Sequence, residues 1–175
     1  MILALGLDPS LTSTGIAPPV DVPFRLKSKP GAHPAARLAA IRDAVLRVVT
    51  VSRANVVAIE GYSFASHAAH AHELGALGGL LRVALWEADV PYAEVPPATL
   101  KKYATGKGNA SKEEVLGAAI RRLGYTGDHT DEADALWLRA MAHDFYNIGA
   151  TLVPASHRAA LDAVAWPKLP KAARV

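Results

Sequence analysis

The period of hydrophobic and polar positions changes several times along this chain, and each change marks an element. Ile2 to Leu7 is a short apolar run closed by Asp8-Pro9-Ser10, the pattern of a buried strand running into a turn. Thr12 to Ala17 continues as a second strand across that turn. Pro18, Pro19 and Pro23 then interrupt the chain before Phe24 to Lys29, a third strand suited to a sheet edge. From Ala35 to Thr50 the spacing turns helical, with Leu38, Ile41, Val45 and Val48/Val49 on one side. Val56 to Ile59 is a further strand ending at Glu60, and a second helix is predicted over His67 to Ala88. Tyr92 to Val95 is a buried strand stopped by Pro96-Pro97. Ser111 and Glu114 have capping-box spacing, opening a helix that runs to Leu123 and ends at Gly124. A long helix follows from Thr130 or Asp131 to Tyr146, and His157 to Ala165 holds one or two helical turns. The proline-rich stretch between Gly15 and Pro34 makes the second and third strands the least regular of the set.

Alternating strands and helices define an α/β chain. No internal repeat or linker divides its 175 residues, so one domain is expected over 1–150, with 151–175 as a C-terminal extension carrying a short helix and a basic tail. A frayed end is the simplest expectation for that extension. There is no cysteine, which excludes a disulfide scaffold, a thiolate zinc site and a thiol nucleophile, and suits a reducing cytoplasm. The first apolar run has no basic residue before it and is broken early by Asp8, unlike a signal peptide. The longest apolar stretch, near Gly75 to Leu81, ends at Arg82, far short of a membrane span. A soluble, cytoplasmic protein without a membrane segment is expected. The net charge of +3 favours polyanionic partners, since phosphate contacts drive nucleic-acid affinity through counterion release.

The acidic positions sharpen this picture. Asp8 and Glu60 each end an apolar strand. If those strands are parallel neighbours, the two carboxylates emerge at one sheet edge, roughly 5 Å apart. Asp131 and Asp134 are three residues apart at the start of a helix and share a face. Four carboxylates in one place repel unless divalent cations neutralise them, and hard oxygen ligands suit Mg²⁺ or Mn²⁺. Taken singly, each has an ordinary reading: Asp8 before a proline as a turn former, Asp131 as a helix N-cap, Glu60 as an exposed strand end.

The ordered set carries a resemblance. Leu5-Gly-Leu-Asp-Pro-Ser-Leu-Thr-Ser-Thr-Gly15 resembles the first-strand motif of RuvC-type Holliday junction resolvases, crossover junction endodeoxyribonucleases of the RNase H-like superfamily. Val57-Ala-Ile-Glu60 is similar to the second motif of that family. Lys101 and the segment Gly106-Lys-Gly-Asn-Ala-Ser-Lys112 resemble its lysine-bearing segment, and Asp131-Glu-Ala-Asp134-Ala-Leu resembles its terminal motif. The match in order and spacing covers Met1 to about Ala142. It implies an RNase H-like fold, a central mixed five-stranded sheet flanked by helices, in a homodimer acting on branched DNA. By the same resemblance Asp8, Glu60, Asp131 and Asp134 hold two Mg²⁺ ions, with Mn²⁺ able to substitute. One ion activates the attacking water and the other stabilises the departing 3′-oxygen. Lys112 matches a lysine beside the scissile phosphate, where a cation offsets transition-state charge. Lys101 matches a phosphate contact or is a solvated helix-end lysine; Lys102 and Lys107 are expected on the DNA backbone. The implied activity is structure-specific cleavage of Holliday junctions. A nuclease with broad flap, fork and three-way specificity and a non-catalytic junction-binding protein of the same fold are the alternatives. An actin-like ATPase is disfavoured, because that fold needs two related halves, so no nucleotide cofactor is expected.

Tyr62 or Phe64, in the loop after Glu60, stands where the family carries an aromatic wedge, and Phe64 packing on the next helix is the equal alternative. His67, His70 and His72 do not share one helical face, so a DNA-facing polar segment is expected there and not a zinc site. Gly75, Gly78 and Gly79 among leucines make the second helix a candidate dimer interface. Ser10 stands where the family pattern has glycine, and the tail from Pro154, with Trp166, Lys168, Lys171 and Arg174, has no counterpart. Such divergence suits a bacteriophage version. The implied location is a bacterial or phage-infected cytoplasm, at the nucleoid.

Overall fold

Short apolar strands with both faces covered dominate the centre of the protein. The computed structural model describes residues 1–30, 33–61, 68–149 and 152–169. Strands β1 (Ala4–Asp8), β2 (Ser13–Ala17), β3 (Phe24–Lys27), β4 (Val56–Glu60) and β5 (Tyr92–Val95) form one sheet in the order β3-β2-β1-β4-β5. The first three are an antiparallel meander, and β4 and β5 run parallel to β1. Helices α1 (Pro34–Val51) and α2 (Ala68–Glu87) belong to the crossovers on one face. Helices α3 (Pro97–Thr105), α4 (Lys112–Leu123) and α5 (Thr130–Phe145) belong to the other. Both predicted strands of the proline-rich region form. The prolines lie in the connections at 18, 19 and 23, where no ladder hydrogen bond is lost. The Asp8-Pro-Ser turn accepts Ser10 because its hydroxyl is used: Oγ accepts from the backbone of Ser13 at 3.3 Å, and Thr14 Oγ1 donates to the Ser10 carbonyl at 2.8 Å.

The side-chain alternation of the strands divides the core in two. Leu5, Leu7, Ile16, Val57 and Ile59 point to α1 and α2, where they meet Ile41, Val45, Leu77, Leu81 and Leu85. Ala4, Ala17, Val56, Ala58 and Ala93 point to the α5 face. Residues on that second face are small for a reason. A Cβ placed on Gly6 would stand 1.9 Å from the Ala135 carbonyl oxygen, and one on Gly15 would stand 2.0 Å from that of Asp131. Helix α5 therefore lies with its backbone directly on β1 and β2, and only glycine permits the approach.

Helix α3 is not predicted by the sequence pattern, in which Pro96-Pro97 reads as a strand stop. Proline is equally suited to a first helical turn, where its missing N–H has no partner to lose. Pro97 opens α3, and Gly106 ends it at φ 86°. The α4 cap is as predicted: Ser111 Oγ accepts from the Glu114 amide at 3.2 Å, and the Glu114 carboxylate accepts from the Ser111 amide at 2.8 Å.

Residues 152–169 are folded onto the rest of the protein and not frayed. Helix α6 (Ala155–Arg158) and a 3-10 turn (Ala159–Ala163) bury Val153, Ala160, Leu161 and Val164 in the same cluster as Leu100 and Tyr103. Trp166 stacks on Phe145 at 4.9 Å between ring centres. Among the described residues, no helix is long and apolar enough to cross a membrane.

Candidate active site

The pairing of β1 with β4 decides where two acids emerge. Leu7 lies opposite Ile59 in a parallel register, so Asp8 and Glu60 follow as the last residues of adjacent strands. The two carboxyls act directly on one another across the strand ends. Asp8 is buried at 8% exposure. Burial, and then the Glu60 charge, hold its carboxyl well above the usual carboxylate range. Burial raises Glu60 too, against the hydrogen bond from Asp8 and the opposing charges of Lys112 and Lys101.

Helix α5 brings the other two acids. His129 is its N-cap residue, without a side-chain cap bond, so Asp131 sits in the first turn and is not itself the cap. Asp131 and Asp134, one helical turn apart, both act electrostatically on Asp8. Burial followed by the Glu60 charge pushes Asp134 up to about 7, while Lys112 and Lys101 oppose the shift. The intervening Glu132 turns away from this cluster. Its carboxylate lies 3.3 Å from Arg25 Nε and accepts from the Tyr125 hydroxyl at 2.6 Å, while Arg25 also contacts the His129 ring. This Arg25–Glu132–Tyr125–His129 group ties the start of α5 to the edge strand β3. No sequence motif signals it, because Arg25 lies more than a hundred residues from its partners.

Two cations complete the cluster. Lys101 on α3 and Lys112 at the first position of α4 both lie close enough to lower Glu60 and Asp134. Lysine is unfavourable at a helix N-terminus, where the dipole is positive. The capping box and Glu113 compensate within the same turn. Lys102 is exposed on α3, and Lys107 is exposed with its Nζ 3.4 Å from Glu114. Tyr62, Phe64 and His67, and the side chain of His70, lie outside the described residues; His72 is exposed.

Four carboxylates and two lysines thus influence one another electrostatically near the C-terminal ends of β1 and β4. Among the described residues, no three acidic or histidine side chains already surround one point as a complete ligand set. The donor chemistry nonetheless fits a hard divalent cation. The oxygens are carboxylate, the chain has no cysteine, and Asp8 and Asp134 are raised first by burial and then by the neighbouring Glu60 charge.

A mixed five-stranded sheet in this order, with helices on both faces and acids at the ends of its central parallel pair, is an RNase H-like α/β fold. A family model described as crossover junction endodeoxyribonuclease RuvC matches residues 24–143, a span that includes Glu60, Lys101, Lys112, Asp131 and Asp134 and begins after Asp8. The chain belongs to the RuvC crossover junction endodeoxyribonuclease family. A relative of that name from Zymomonas mobilis subsp. mobilis is 30% identical over 158 residues, 85% of this chain and 94% of its own length. Another from Sorangium cellulosum is 37% identical over 111 residues, of which the matched part is 62% of this chain and 61% of that protein. The solved structure of Thermus thermophilus RuvC in complex with Holliday junction substrate superposes with a TM-score of 0.66 at 29% identity, covering 84% of this chain and 95% of that one.

Proposed function

We propose that this protein is a Mg²⁺-dependent endodeoxyribonuclease that cleaves Holliday junctions or closely related branched DNA. The observation that carries the reading is the gathering of Asp8, Glu60, Asp131 and Asp134, from three separated segments, around one shared electrostatic site flanked by Lys101 and Lys112. Those four carboxylates would hold two Mg²⁺ ions, or Mn²⁺ in their place. The ions supply charge neutralisation at the scissile phosphate and a more acidic water for phosphodiester hydrolysis. The protein's own part is to orient and to balance charge. The β1–β4 register holds Asp8 and Glu60 side by side, α5 presents Asp131 and Asp134 from above, and Lys112 offsets charge that develops on the phosphate. Lys101, Lys102 and Lys107 engage the sugar–phosphate backbone, and Tyr62 or Phe64 stacks on an opened base step. Residues 1–150 form the nuclease domain, and 151–175 extend it.

A four-way junction has two strands to cut, which suits a homodimer working in the bacterial cytoplasm. The outer face of α2 fits this use: a Cβ added to Gly79 would meet nothing within 4 Å, and Trp86 is 75% exposed.

Purified protein with Mg²⁺ on labelled four-way, three-way, flap and linear duplex DNA tests the proposal. Cutting of the four-way junction is expected, and Asp8→Asn or Glu60→Gln should lower it about a thousandfold or more. Binding of these variants should stay level or tighten, since less negative charge faces the phosphates. Equal cutting of flaps and three-way junctions would favour the broad-specificity nuclease, and tight binding without cutting would favour a junction-binding protein.

A further inference from the structure

The family match ends at residue 143, yet two side chains beyond it make contacts that lead back to the lysine-bearing helix. His157 Nδ1 lies 3.0 Å from the carbonyl oxygen of Tyr103, to which it donates. Its ring also occupies the space beside Gly106, where an added Cβ would stand 2.8 Å from Nε2. Arg158 Nε donates to Asp144 Oδ2 at 3.0 Å, and the Tyr103 hydroxyl donates to the same oxygen at 2.9 Å. The Asp144 side chain is 4% exposed. A buried carboxylate is strongly unfavourable unless donors satisfy it, so this node joins α3, α5 and α6 firmly.

Helix α3 has nine residues, too few to hold its own shape or rotation without packing. Tyr103 and Lys101 are two residues apart, roughly 200° around the axis, so they occupy opposite sides. Anchoring Tyr103 on the buried side therefore sets the angle at which Lys101 faces Glu60 and Asp134. Gly106, against the His157 ring, is the point where the chain leaves α3 for Lys112.

We propose that His157 and Arg158 are positioning residues: they fix the rotation of α3 and the exit of the 106–112 loop, and so keep Lys101 and Lys112 over the carboxylates. Their effect on cleavage rests on the nuclease reading above, whereas their effect on α3 does not.

The test uses full-length Arg158→Ala, His157→Ala, Arg158→Lys, Lys101→Ala and the Arg158→Ala/Lys101→Ala double variant. Two readouts apply: amide hydrogen exchange across 97–106 in the protein without metal or DNA, and single-turnover cleavage of a four-way junction with Mg²⁺. Arg158→Ala and His157→Ala should speed exchange in α3 while sparing β1 and β4. Each should slow cleavage roughly tenfold, as expected for misplaced groups. The double variant should be slower than Lys101→Ala by clearly less than the loss Arg158→Ala causes alone, the remainder belonging to Lys112, and Arg158→Lys should restore part of both effects. Unchanged α3 exchange in both alanine variants overturns the proposal, as do fully multiplicative losses in the double variant. If Arg158→Ala does not fold, His157→Ala, which leaves the Asp144 ion pair in place, decides by the same readouts. If the wild-type protein cuts no branched DNA, the nuclease reading fails, and exchange alone decides whether the extension holds α3.

Discussion

Asp8, Glu60 and Asp134 carry raised carboxyls because burial removes water while the site concentrates negative charge. Such a site is destabilising when no cation fills it, so removing one charge relieves repulsion. Asp8→Asn should raise the melting temperature of metal-free protein at neutral pH, by about 2–4 °C for each kcal/mol relieved. Mg²⁺ should raise the melting temperature of the wild type clearly and that of Asp8→Asn little, and thermal melts with and without the ion check both. His143 on α5 shows the opposite sensitivity. Burial, then the nearby Arg139 charge, holds it below the ordinary histidine value of 6.5. The folded protein therefore keeps His143 neutral while the unfolded chain takes up a proton as pH falls below 6.5, and stability is lost on acidification. Asp134, pushed up to about 7, acts with the reverse sign in this range, so the contrast must be drawn between variants. His143→Gln should lose less stability than wild type between pH 7 and 5, as read by denaturant midpoints at each pH.

Helix α5 is the element on which the site turns, since it carries two of the four acids and lies directly on β1 and β2. The approach depends on Gly6 and Gly15 having no side chain. Gly15→Ala would drive a Cβ into the backbone of Asp131, costing about 3 kcal/mol as an overpacked core does, and lifting the first turn of α5 from the sheet. Cleavage should fall more than stability predicts, because Asp131 moves with that turn; denaturation and cleavage assays on the same preparation separate the two. In the sequence, Gly15 is visible as part of a motif. Its role as a seat for a helix 116 residues further on is not, because close approach has no local pattern. The same holds for α3, whose opening Pro-Pro suits a strand stop as well as a helix start.

For the whole molecule, pooling acids in one recess leaves the remaining surface more positive than a net charge of +3 suggests. Junction affinity should therefore fall steeply with salt, and removing Lys101 or Lys102 should reduce the slope of log affinity against log salt by about 1 each, measured by titrations from low to moderate salt.

Local pattern alone determined the strands, four of the longer helices and the α4 cap, and the ordered motifs singled out the four acids as candidates, because period, turn chemistry and motif spacing are legible along the chain. Tertiary structure decided what neighbours cannot encode. The sheet order put Asp8 beside Glu60. Glycine contacts seat α5 so that Asp131 and Asp134 act on that pair, while the Arg25 tie holds the intervening Glu132 away. Residues 152–169 of the extension, expected to fray, are drawn onto α3 by buried apolar side chains and one shared carboxylate. Such contacts join residues tens to more than a hundred positions apart, and their energy exists only once the chain has folded.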